Sequence, residues 1–452
     1  MTFTLSDLRK IVLDRDVAAV VATSDLVPTA GRGARIAPAT YAGSSSKAPG
    51  AFAGGVALTD NALLRTVADD GTADLARNAD GTPRTGPVAV VDSVSATATR
   101  AENALWALRD ELDLPGIVYV AEDDEVVAEA VDAALSAATK SGPDAPGDID
   151  TSELASSIAR ALDPTVAGVS SWTLSHRHVD GAIRHGLVAD TGDHVWDGHG
   201  DLYRRIISAG PRSLLDLLTL SPNSVLYGFW LASGAPVAHK LPRSITSEII
   251  GYDARRTVYG ATRAATWEAH SDVYTDDKGN LSVGKAPKGY KKPSELGVSA
   301  VPSSSENTVV CSDIIGTATL SLSNLRRTLA ASSDMSDEQR DAAAVALAAL
   351  GMLGHLLTLD NGYLRSGCDL VDETTVWETV GRRGARAVDA SIPVDAEEFL
   401  PVAREALDAA RGVGAFGSAA DRVEVRMSER LRTIFVTSYA KLALGASAGD
   451  EA

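Results

Sequence analysis

The segment from Ser336 to Leu357 constrains the fold of this chain more than any other part of its sequence. Ser336 and Gln339 form the pattern S-x-x-Q, a capping box that opens many helices. The run AAAVALAAL that follows is apolar on nearly every side. No window approaches the ~20 uninterrupted apolar residues of a membrane span, so such a helix is stable only where other elements surround it. We therefore expect a buried helix.

Length and composition are typical of a large intracellular protein. The chain has 452 residues, of which 45% are hydrophobic, and this is enough for a substantial aliphatic core. Cys311 and Cys368 are isolated in the sequence, which predicts buried thiols in a reducing compartment. Residues 1–16 carry charges every few positions and lack the apolar region of a secretory signal. We expect a cytoplasmic protein.

Hydrophobic patterns predict an α+β protein with long excursions from a modest sheet. Residues 1–27 are interpreted as a helix followed by a strand, and the β-branched run Val88–Val94 as a buried strand. Thr99 and Glu102 form a second capping-box pattern, so a helix should follow and complete a strand–helix–strand unit with residues 117–120. Further strands are predicted at 225–231 and 309–322, a helix at 396–410 and an edge strand at 423–427.

Four segments differ from the rest of the chain in composition. Residues 30–86 are rich in Gly, Ala, Ser and Thr, which predicts an extended excursion. Residues 122–153 hold ten acids and one base, which predicts a solvated helix and a flexible linker. Residues 257–292 are predicted to form a basic loop, and residues 372–452 an extension of helices and strands. We expect all four to belong to one domain that spans the chain.

Charge is distributed unevenly along the sequence. The whole chain carries −18, yet the stretch from Lys240 to Lys292 holds ten basic and six acidic residues, a local charge of +4. Residues 278–292 hold five lysines and no acid, with Tyr290 among them. Flexible cations beside an aromatic ring suit the backbone and one stacked base of a nucleic acid, although a solvated loop has the same composition. A positive region on a negative body predicts a polyanion bound at one place.

Signals for catalysis or metal binding are weaker. Five of the eight histidines lie between His176 and His199 with four aspartates interleaved, and imidazole with carboxylate suits zinc or manganese. Their spacing matches no tight zinc motif. Arg177 and Arg184 flank Asp180 and form either a phosphate site or surface ion pairs. The sequence contains no P-loop, no G-x-G-x-x-G after a strand and no G-x-S-x-G elbow, so it predicts no catalytic residue, metal or cofactor.

Eight blocks in one order over most of the chain resemble the backbone subunit of the subtype I-G (formerly I-U) CRISPR effector complex, a member of the repeat-associated mysterious protein (RAMP) superfamily. Similar proteins carry amides after Asp92 and Ser93, where this chain has Ser95, Thr97 and Thr99. The blocks are ARIAPATYAG (34–43), VDSVSATATRAENAL (91–105), SHRHVDGAIRHG (175–186), SPNSVLYGFW (221–230), PRSITSEIIGYDA (242–254), KKPSELG (291–297), LSLSNLRRTL (320–329) and ALGMLGHLL…YLRSGCDLV (349–371).

The resemblance implies a hand-shaped protein. Its fold would be an RRM-like (ferredoxin-like) palm with helical fingers and an extended thumb, for which residues 30–86 and 257–292 are the two candidates. Copies would oligomerise head to tail along one CRISPR RNA, each thumb displacing a base. The guide would pair with target DNA in a Cascade-type antiviral complex with other effector subunits and no membrane. The type I backbone subunits of this family are not nucleases, so no enzymatic activity is expected.

RNA contacts are implied for basic and aromatic side chains of the matching blocks and of the basic loop. Arginine suits phosphate because its donors form a rigid fork. Glu248 would orient Arg243 or pair with a neighbouring subunit. The candidate RNA-binding residues are Arg32, Arg35, Tyr41, Arg100, Arg177, Arg184, Arg243, Arg255, Arg256, Arg263, Lys285, Lys288, Lys291, Lys292 and Arg326.

Two other functions are compatible with the sequence. One is a metal-dependent ribonuclease, because related backbone subunits of type III systems cut target RNA through an aspartate; Asp92 or Asp180 would serve here. The other is a metal-dependent hydrolase of small molecules built on the histidine cluster.

Overall fold

The computed structural model describes residues 3–41, 55–122, 124–139, 151–163, 168–231, 239–262, 273–276, 280–285, 287–292 and 302–443. The statements below concern these residues. Their helices are α1 (Leu5–Leu13), α2 (Val94–Ala107), α3 (Asp124–Thr139), α4 (Thr151–Leu162), α5 (Gly181–Arg184), α6 (Asp201–Ser208), α7 (Leu215–Leu220), α8 (Asn223–Tyr227), α9 (Leu322–Ala330), α10 (Asp337–Asp360), α11 (Ala396–Gly412) and α12 (Glu429–Ala443), with 3-10 turns at Arg177–Val179 and Ala419–Asp421.

The strands of the same residues follow in chain order. They are β1 (Val17–Pro28), β2 (Thr40–Tyr41), β3 (Gly55–Val56), β4 (Leu58–Leu63), β5 (Arg65–Val67), β6 (Ala73–Leu75), β7 (Thr85–Asp92), β8 (Ile117–Tyr119), β9 (Leu187–Val188), β10 (Phe229–Leu231), β11 (His239–Leu241), β12 (Ile245–Tyr252), β13 (Arg255–Thr262), β14 (Val273–Thr275), β15 (Leu281–Val283), β16 (Pro302–Val310), β17 (Asp313–Leu320), β18 (Tyr363–Arg365), β19 (Cys368–Gly381), β20 (Arg386–Val388) and β21 (Val423–Arg426).

The predicted α+β class is confirmed, and one antiparallel sheet organises the fold. Its strand order is β18–β19–β1–β17–β12–β7–β4, and β20 pairs with β19. β1 lies inside the sheet, with Ala22 opposite Ala318 of β17 and Trp377 of β19. The β-branched sequence of β1 suits a strand that is covered on both faces, and residues 20–24 are all buried.

The central strands are not in chain order. Across the sheet they run β19, β1, β17, β12, whereas along the chain they run β1, β12, β17, β19. Helix α2 lies between β1 and β12, and α9 and α10 lie between β17 and β19. Ile245 and Ala318 of the sheet share one core with Leu105 of α2 and Leu353 of α10. These helices therefore cover one face of the sheet.

Helix α10 is the buried helix expected from the sequence. Ser336 Oγ accepts from the Gln339 amide at 3.2 Å and Gln339 Oε1 accepts from the Ser336 amide at 2.9 Å, so the predicted capping box is confirmed. Every residue from Ala342 to Leu356 is buried, and α10 packs against α1, α2, α9 and α11. Of the described helices it alone is long and apolar enough to cross a membrane, a test that buried core helices also pass.

The beginning of α2 differs from the sequence prediction. The capping box predicted at Thr99 is wrong, because the helix begins more than one turn earlier, at Val94. Ser93 is the N-cap, and its Oγ accepts from the Ala96 amide at 3.3 Å. Thr99 lies inside the helix, where its hydroxyl donates to the Ser95 carbonyl at 3.1 Å. Threonine makes this local bond readily, so its presence in a T-x-x-E pattern does not fix a helix start.

Four further predictions on strands are corrected. β8 follows α2 but does not return to the main sheet; it joins a separate sheet of order β8–β21–β9. The predicted edge strand β21 is the middle strand there, with Val425 opposite both Tyr119 and Val188. Of the strand predicted at 225–231, residues 225–227 belong to helix α8 and residues 229–231 form β10. The strand predicted at 309–322 is divided between β16 and β17, and β17 ends at Leu320.

The excursions join the main body in different ways. Of residues 30–86, the β5–β6 hairpin contacts the sheet, where Thr66 Oγ1 donates to Asp313 at 2.9 Å. Helix α3 of the acidic segment buries Val127 and Val131 against Ile158 and Val436, so it is packed on one side and not wholly solvated. The predicted linker at 140–150 lies outside the described residues.

The segments at 257–292 and 372–452 begin inside paired strands. β13 pairs with β16, and this ladder continues the β12–β17 hairpin past the sheet. Residues 263–272, 277–279 and 286 of the basic loop lie outside the described residues. Strand β19 runs through residue 372 and pairs with β1 over most of its length, so the C-terminal region completes the main sheet. Cys311 and Cys368 are both buried free thiols, as predicted, and burial raises each pKa to about 12.

Candidate nucleic-acid interface

One edge of the main sheet brings together chain segments that are distant in sequence. β1 begins there, since Val17 pairs with Gly381 at the end of β19. β17 ends there at Leu320, opposite Ile245 at the start of β12. β7 also ends toward this edge, beside β12. The segments before β1 and β12 and after β7, β17 and β19 therefore meet.

Five arginines on these segments form a surface that we call the arginine edge. The amide of Arg382 donates to the Asp16 carbonyl at 3.0 Å, which ties the segment after β19 to the one before β1. Asn324 accepts from Arg327 at 2.8 Å and donates to the Arg243 carbonyl at 3.2 Å, which ties α9 to the segment before β12. The arginine edge consists of Arg15, Arg243, Arg327, Arg382 and Arg383.

The arginine edge presents positive charge that the described part of the protein does not neutralise by pairing. None of its guanidinium groups forms an ion pair with a described residue. Burial, and then the nearby Arg177 guanidinium, lower the pKa of Arg243, but arginine keeps its charge in proteins. Asp14 and Asp16 are the acids directly beside Arg15. Clustered guanidinium groups with few acids are suited to neutralising phosphates.

Arg326 lies at the same edge but its side chain points inward. Its guanidinium donates to the carbonyls of Val12 (2.5 Å), Asp14 (2.9 Å) and Val17 (2.5 Å). Burial lowers its pKa, and Arg382 acts in the same direction. Because these donors hold the end of α1 and the start of β1, the geometry gives Arg326 a role in shaping the edge. Its contact with RNA stays a prediction, and the inward direction of its side chain does not support it.

A buried ion pair lies beneath the arginine edge. Arg177 Nε and Nη2 donate to the two carboxylate oxygens of Glu102 at 2.7 and 2.6 Å. Asn223 Nδ2 donates to the same carboxylate at 2.7 Å. Burial raises the pKa of Glu102, while the Arg177 guanidinium opposes the rise. The Arg177 side chain is only 10% exposed, so its burial argues against the predicted RNA contact and for a supporting role.

Two buried histidines should make the fold sensitive to acid. Burial lowers the pKa of His178 to about 3 and that of His355 to about 4, so both are neutral at pH 7. Below about pH 6.5 these two histidines bind protons in the unfolded chain but stay neutral in the folded chain. We expect the free energy of unfolding to be lost as pH falls from about 6.5 toward 4, by up to about 1.4 kcal/mol per pH unit for each histidine.

Urea unfolding at several pH values checks this expectation. Below about pH 6.5 the free energy of unfolding of His355→Gln should fall less steeply with pH than that of the wild type, and the difference in slope should correspond to about one proton. The variant His199→Gln, at an exposed position, should keep the wild-type slope. Burial raises the pKa of Asp92 to about 6, which acts in the opposite direction between about pH 4 and 6; the comparison of variants therefore isolates the histidine. Equal slopes for the two variants would contradict the prediction.

Several other predicted RNA-binding residues lie at the opposite edge of the sheet, where acids accompany them. Arg32 pairs with Asp25 at 2.7 Å and with Glu373. Arg255 lies 3.4 Å from Asp253. These pairs reduce the local positive charge, so the predicted residues do not form one surface.

The remaining predicted residues of the far edge and of the basic loop differ in exposure. Lys291 is half-buried, and its backbone pairs with Thr275. Arg263 lies outside the described residues, as does the side chain of Tyr41. The exposed ones are Arg35, Arg256, Lys285, Lys288 and Lys292. Their contact with RNA stays a prediction.

The guanidinium groups of Arg100 and Arg184 both contact other side chains of the protein. Arg100 pairs with the buried Asp92, whose pKa burial raises to about 6 against the effect of that arginine. The Arg184 guanidinium lies 5.6 Å from the ring centroid of Trp196. Glu248 is exposed on β12 and forms no ion pair with a described residue, so the expected link to Arg243 is not formed within this chain.

The histidine-rich segment is divided between surface and core. His176 Nδ1 lies 3.2 Å from Asp180, and Asp180 caps α5 by accepting from the Ala182 amide at 2.9 Å. His178 is buried and bonds Ser224 Oγ at 2.7 Å. Within the described ranges no three His, Cys, Asp or Glu side chains are grouped so that they could hold a metal ion.

Sequence reasoning missed most of the arginine edge. Arg382 and Arg383 stand in the segment TVGRRGAR between two strands, and a paired basic turn was the available signal. Arg15 lies between two aspartates, which hid it in a count of charge along the chain. Charge counts cover contiguous windows, whereas this surface is assembled from four separate segments by strand pairing.

The fold and this surface define an α+β protein with a cationic sheet edge that suits a polyanion. A family model described as CRISPR-associated protein GSU0053 matches residues 20–256. The chain therefore belongs to this CRISPR-associated family of RAMP-type proteins of subtype I-G (formerly I-U), which confirms the resemblance found in the sequence blocks. The comparison with curated proteins found no match. Membership associates the chain with a CRISPR effector complex.

Proposed function

We propose that this protein is the non-catalytic RNA-binding backbone subunit of a Cascade-type complex. Copies bind head to tail along one CRISPR RNA in the cytoplasm and present the guide for pairing with target DNA. The arginine edge carries this proposal, because it joins guanidinium groups of four segments that form no ion pair with the described residues, on an otherwise acidic chain. Such a local cationic surface binds the phosphate backbone without reading its sequence.

The strand order supports an RRM-like palm. The strands β19–β1–β17–β12 have the order 4-1-3-2 when numbered along the chain, with helices after the first and third strands on one face. This is the arrangement of a ferredoxin-like βαββαβ unit. The additional strands β7 and β4 extend the sheet beyond β12.

The β13–β16 ladder is our candidate for the thumb. It continues the β12–β17 hairpin of the proposed palm, with Arg255 opposite Val310 directly after Tyr252 pairs with Asp313. A two-stranded ribbon that leaves the sheet in this way projects from the palm, as the thumb would. Residues 30–86 are less suited, since their β5–β6 hairpin lies against the sheet of the same chain.

The surroundings of the candidate aspartates favour a non-catalytic role. The Asp92 side chain is only 4% exposed and pairs with Arg100, and both carboxylate oxygens of Asp180 accept bonds at the start of α5. Incubation of protein and guide with complementary RNA and manganese should therefore give no regular cleavage products. A ladder of evenly spaced products would overturn the non-catalytic assignment and leave RNA binding intact.

Co-purification is the direct test of the proposed function. Expressed together with a CRISPR array, the protein should retain RNA of uniform length and elute as a large assembly. RNase treatment should shorten the assembly, because RNA length limits the number of copies. Recovery of nucleic-acid-free monomer under these conditions would refute the proposal.

A further inference from the structure

An exposed tryptophan stands beside the arginine edge on a short hairpin. Strands β10 and β11 pair so that Trp230 lies directly opposite Lys240, while Phe229 lies opposite Leu241. Phe229 and Leu241 are buried at 7% and 5% exposure, whereas Trp230 is 68% exposed. One face of the hairpin thus packs on the core, and the other presents an indole and an ammonium group to solvent.

The base of this hairpin is held firmly in the protein. Arg177 Nη1 donates to the Gly228 carbonyl at 2.8 Å, so the buried Glu102–Arg177 pair fixes the residue that precedes β10. Gly228 has φ +78, and a Cβ there would lie 3.0 Å from the Arg243 amide. His178 contacts Phe229 edge-on, with ring centroids 4.6 Å apart. The indole is therefore positioned on a rigid support next to Arg243.

The surroundings of Trp230 favour a nucleobase as its partner. No ring or cation contact occupies the indole among the described residues, and Lys240 forms no ion pair with them. Two residues separate Lys240 from Arg243, a distance of at most about 10 Å along the chain, so both cations belong to the segment that pairs with the strand of Trp230. An exposed aromatic ring beside cations that can bind the backbone is the combination that binds single-stranded nucleic acid.

We propose that Trp230 stacks on one unpaired base of a single-stranded RNA whose adjacent phosphates contact Lys240 and Arg243. The inference rests on the proposed function and adds to it the residue that contacts a base. Duplex RNA is excluded as the ligand at this point, since stacked pairs hide the faces of their bases. Stacking is tolerant of sequence because every base has a π-face, which suits a subunit that must accept any guide.

Binding of a fluorescently labelled single-stranded RNA to the full chain, with Trp230→Ala, Trp230→Phe and Tyr363→Ala compared, tests the proposal. Trp230→Ala should weaken binding about tenfold, Trp230→Phe should recover most of the loss, and the salt dependence should be unchanged because no cation is removed. Tyr363 is 56% exposed on β18, at the other end of the sheet, so Tyr363→Ala should bind like the wild type. Duplex RNA should not distinguish the four proteins.

The outcomes separate this inference from the function on which it rests. The stacking proposal alone would be overturned if Trp230→Ala bound single-stranded RNA with wild-type affinity and RNA quenched its tryptophan fluorescence as much as that of the wild type. Loss of assembly between copies with RNA affinity retained would also overturn it, in favour of a protein contact. Absence of RNA binding by the wild type would refute the proposed function itself.

Discussion

Replacing Arg243, Arg327, Arg382 and Arg383 together by glutamine should lower the affinity for single-stranded RNA about 10³-fold at physiological salt. Each exposed ionic contact is worth about 1 kcal/mol, so four contribute about 4 kcal/mol, which corresponds to this factor. The logarithm of affinity should also depend less steeply on the logarithm of salt, by about 3 units of slope, because each phosphate contact on a single strand contributes about 0.7.

A matched control separates this surface from net charge. The variant with Arg84, Arg204, Arg404 and Arg430 changed to glutamine alters the total charge equally but on segments that do not form the arginine edge, so it should retain the wild-type slope. Titration of labelled RNA at several salt concentrations measures both quantities. Equal losses in the two variants would mean that binding follows net charge, and the arginine edge would then be no specific interface.

The lysine run supplies a second comparison. If the basic loop binds the phosphate backbone of the RNA, changing Lys285, Lys288, Lys291 and Lys292 to glutamate should also weaken RNA binding and flatten its salt dependence. An unchanged slope would make the run a solvated loop. A large loss in this variant, with none in the arginine variant, would move the interface to the far edge of the sheet.

Glu102→Gln should destabilise the protein by about 3–5 kcal/mol. The substitution keeps the shape of the side chain but removes the charge that compensates Arg177, and an uncompensated buried guanidinium is costly. Arg177 cannot lose its proton, and its side chain is 10% exposed, so solvent offers little relief. Urea unfolding followed by far-UV circular dichroism measures the loss.

The variant Glu111→Gln is the matched control for this change. Glu111 pairs with Arg404 on the surface, where both side chains are more than 40% exposed, and such pairs contribute at most about 1 kcal/mol. The double variant Glu102→Gln, Arg177→Met should recover part of the loss, because it removes both charges from the interior. A cost below about 1 kcal/mol for Glu102→Gln would show that water reaches the pair.

Local patterns predicted individual elements well. The α10 helix and its capping box follow from Ser336, Gln339 and the apolar run, because these contacts join residues three or four positions apart. The prediction at Thr99 failed for the same reason: the pattern is local, and Ser93 offered a competing N-cap more than one turn upstream. The predicted edge strand β21 failed because its alternation revealed a buried face but not the number of its neighbours.

The sequence by itself determined the α+β class, the buried central helix, the uneven charge and the family, because each depends on residue identity or on short spacing. Only the tertiary structure decided which arginines share a surface. Antiparallel pairing places the start of β1 beside the end of β19, and residues 15 and 382 become neighbours although hundreds of positions separate them. Burial likewise assigned Arg177 to the interior, and bonds to backbone carbonyls turned the half-buried Arg326 toward the protein, since the solvent exposure of a charged side chain depends on what packs around it.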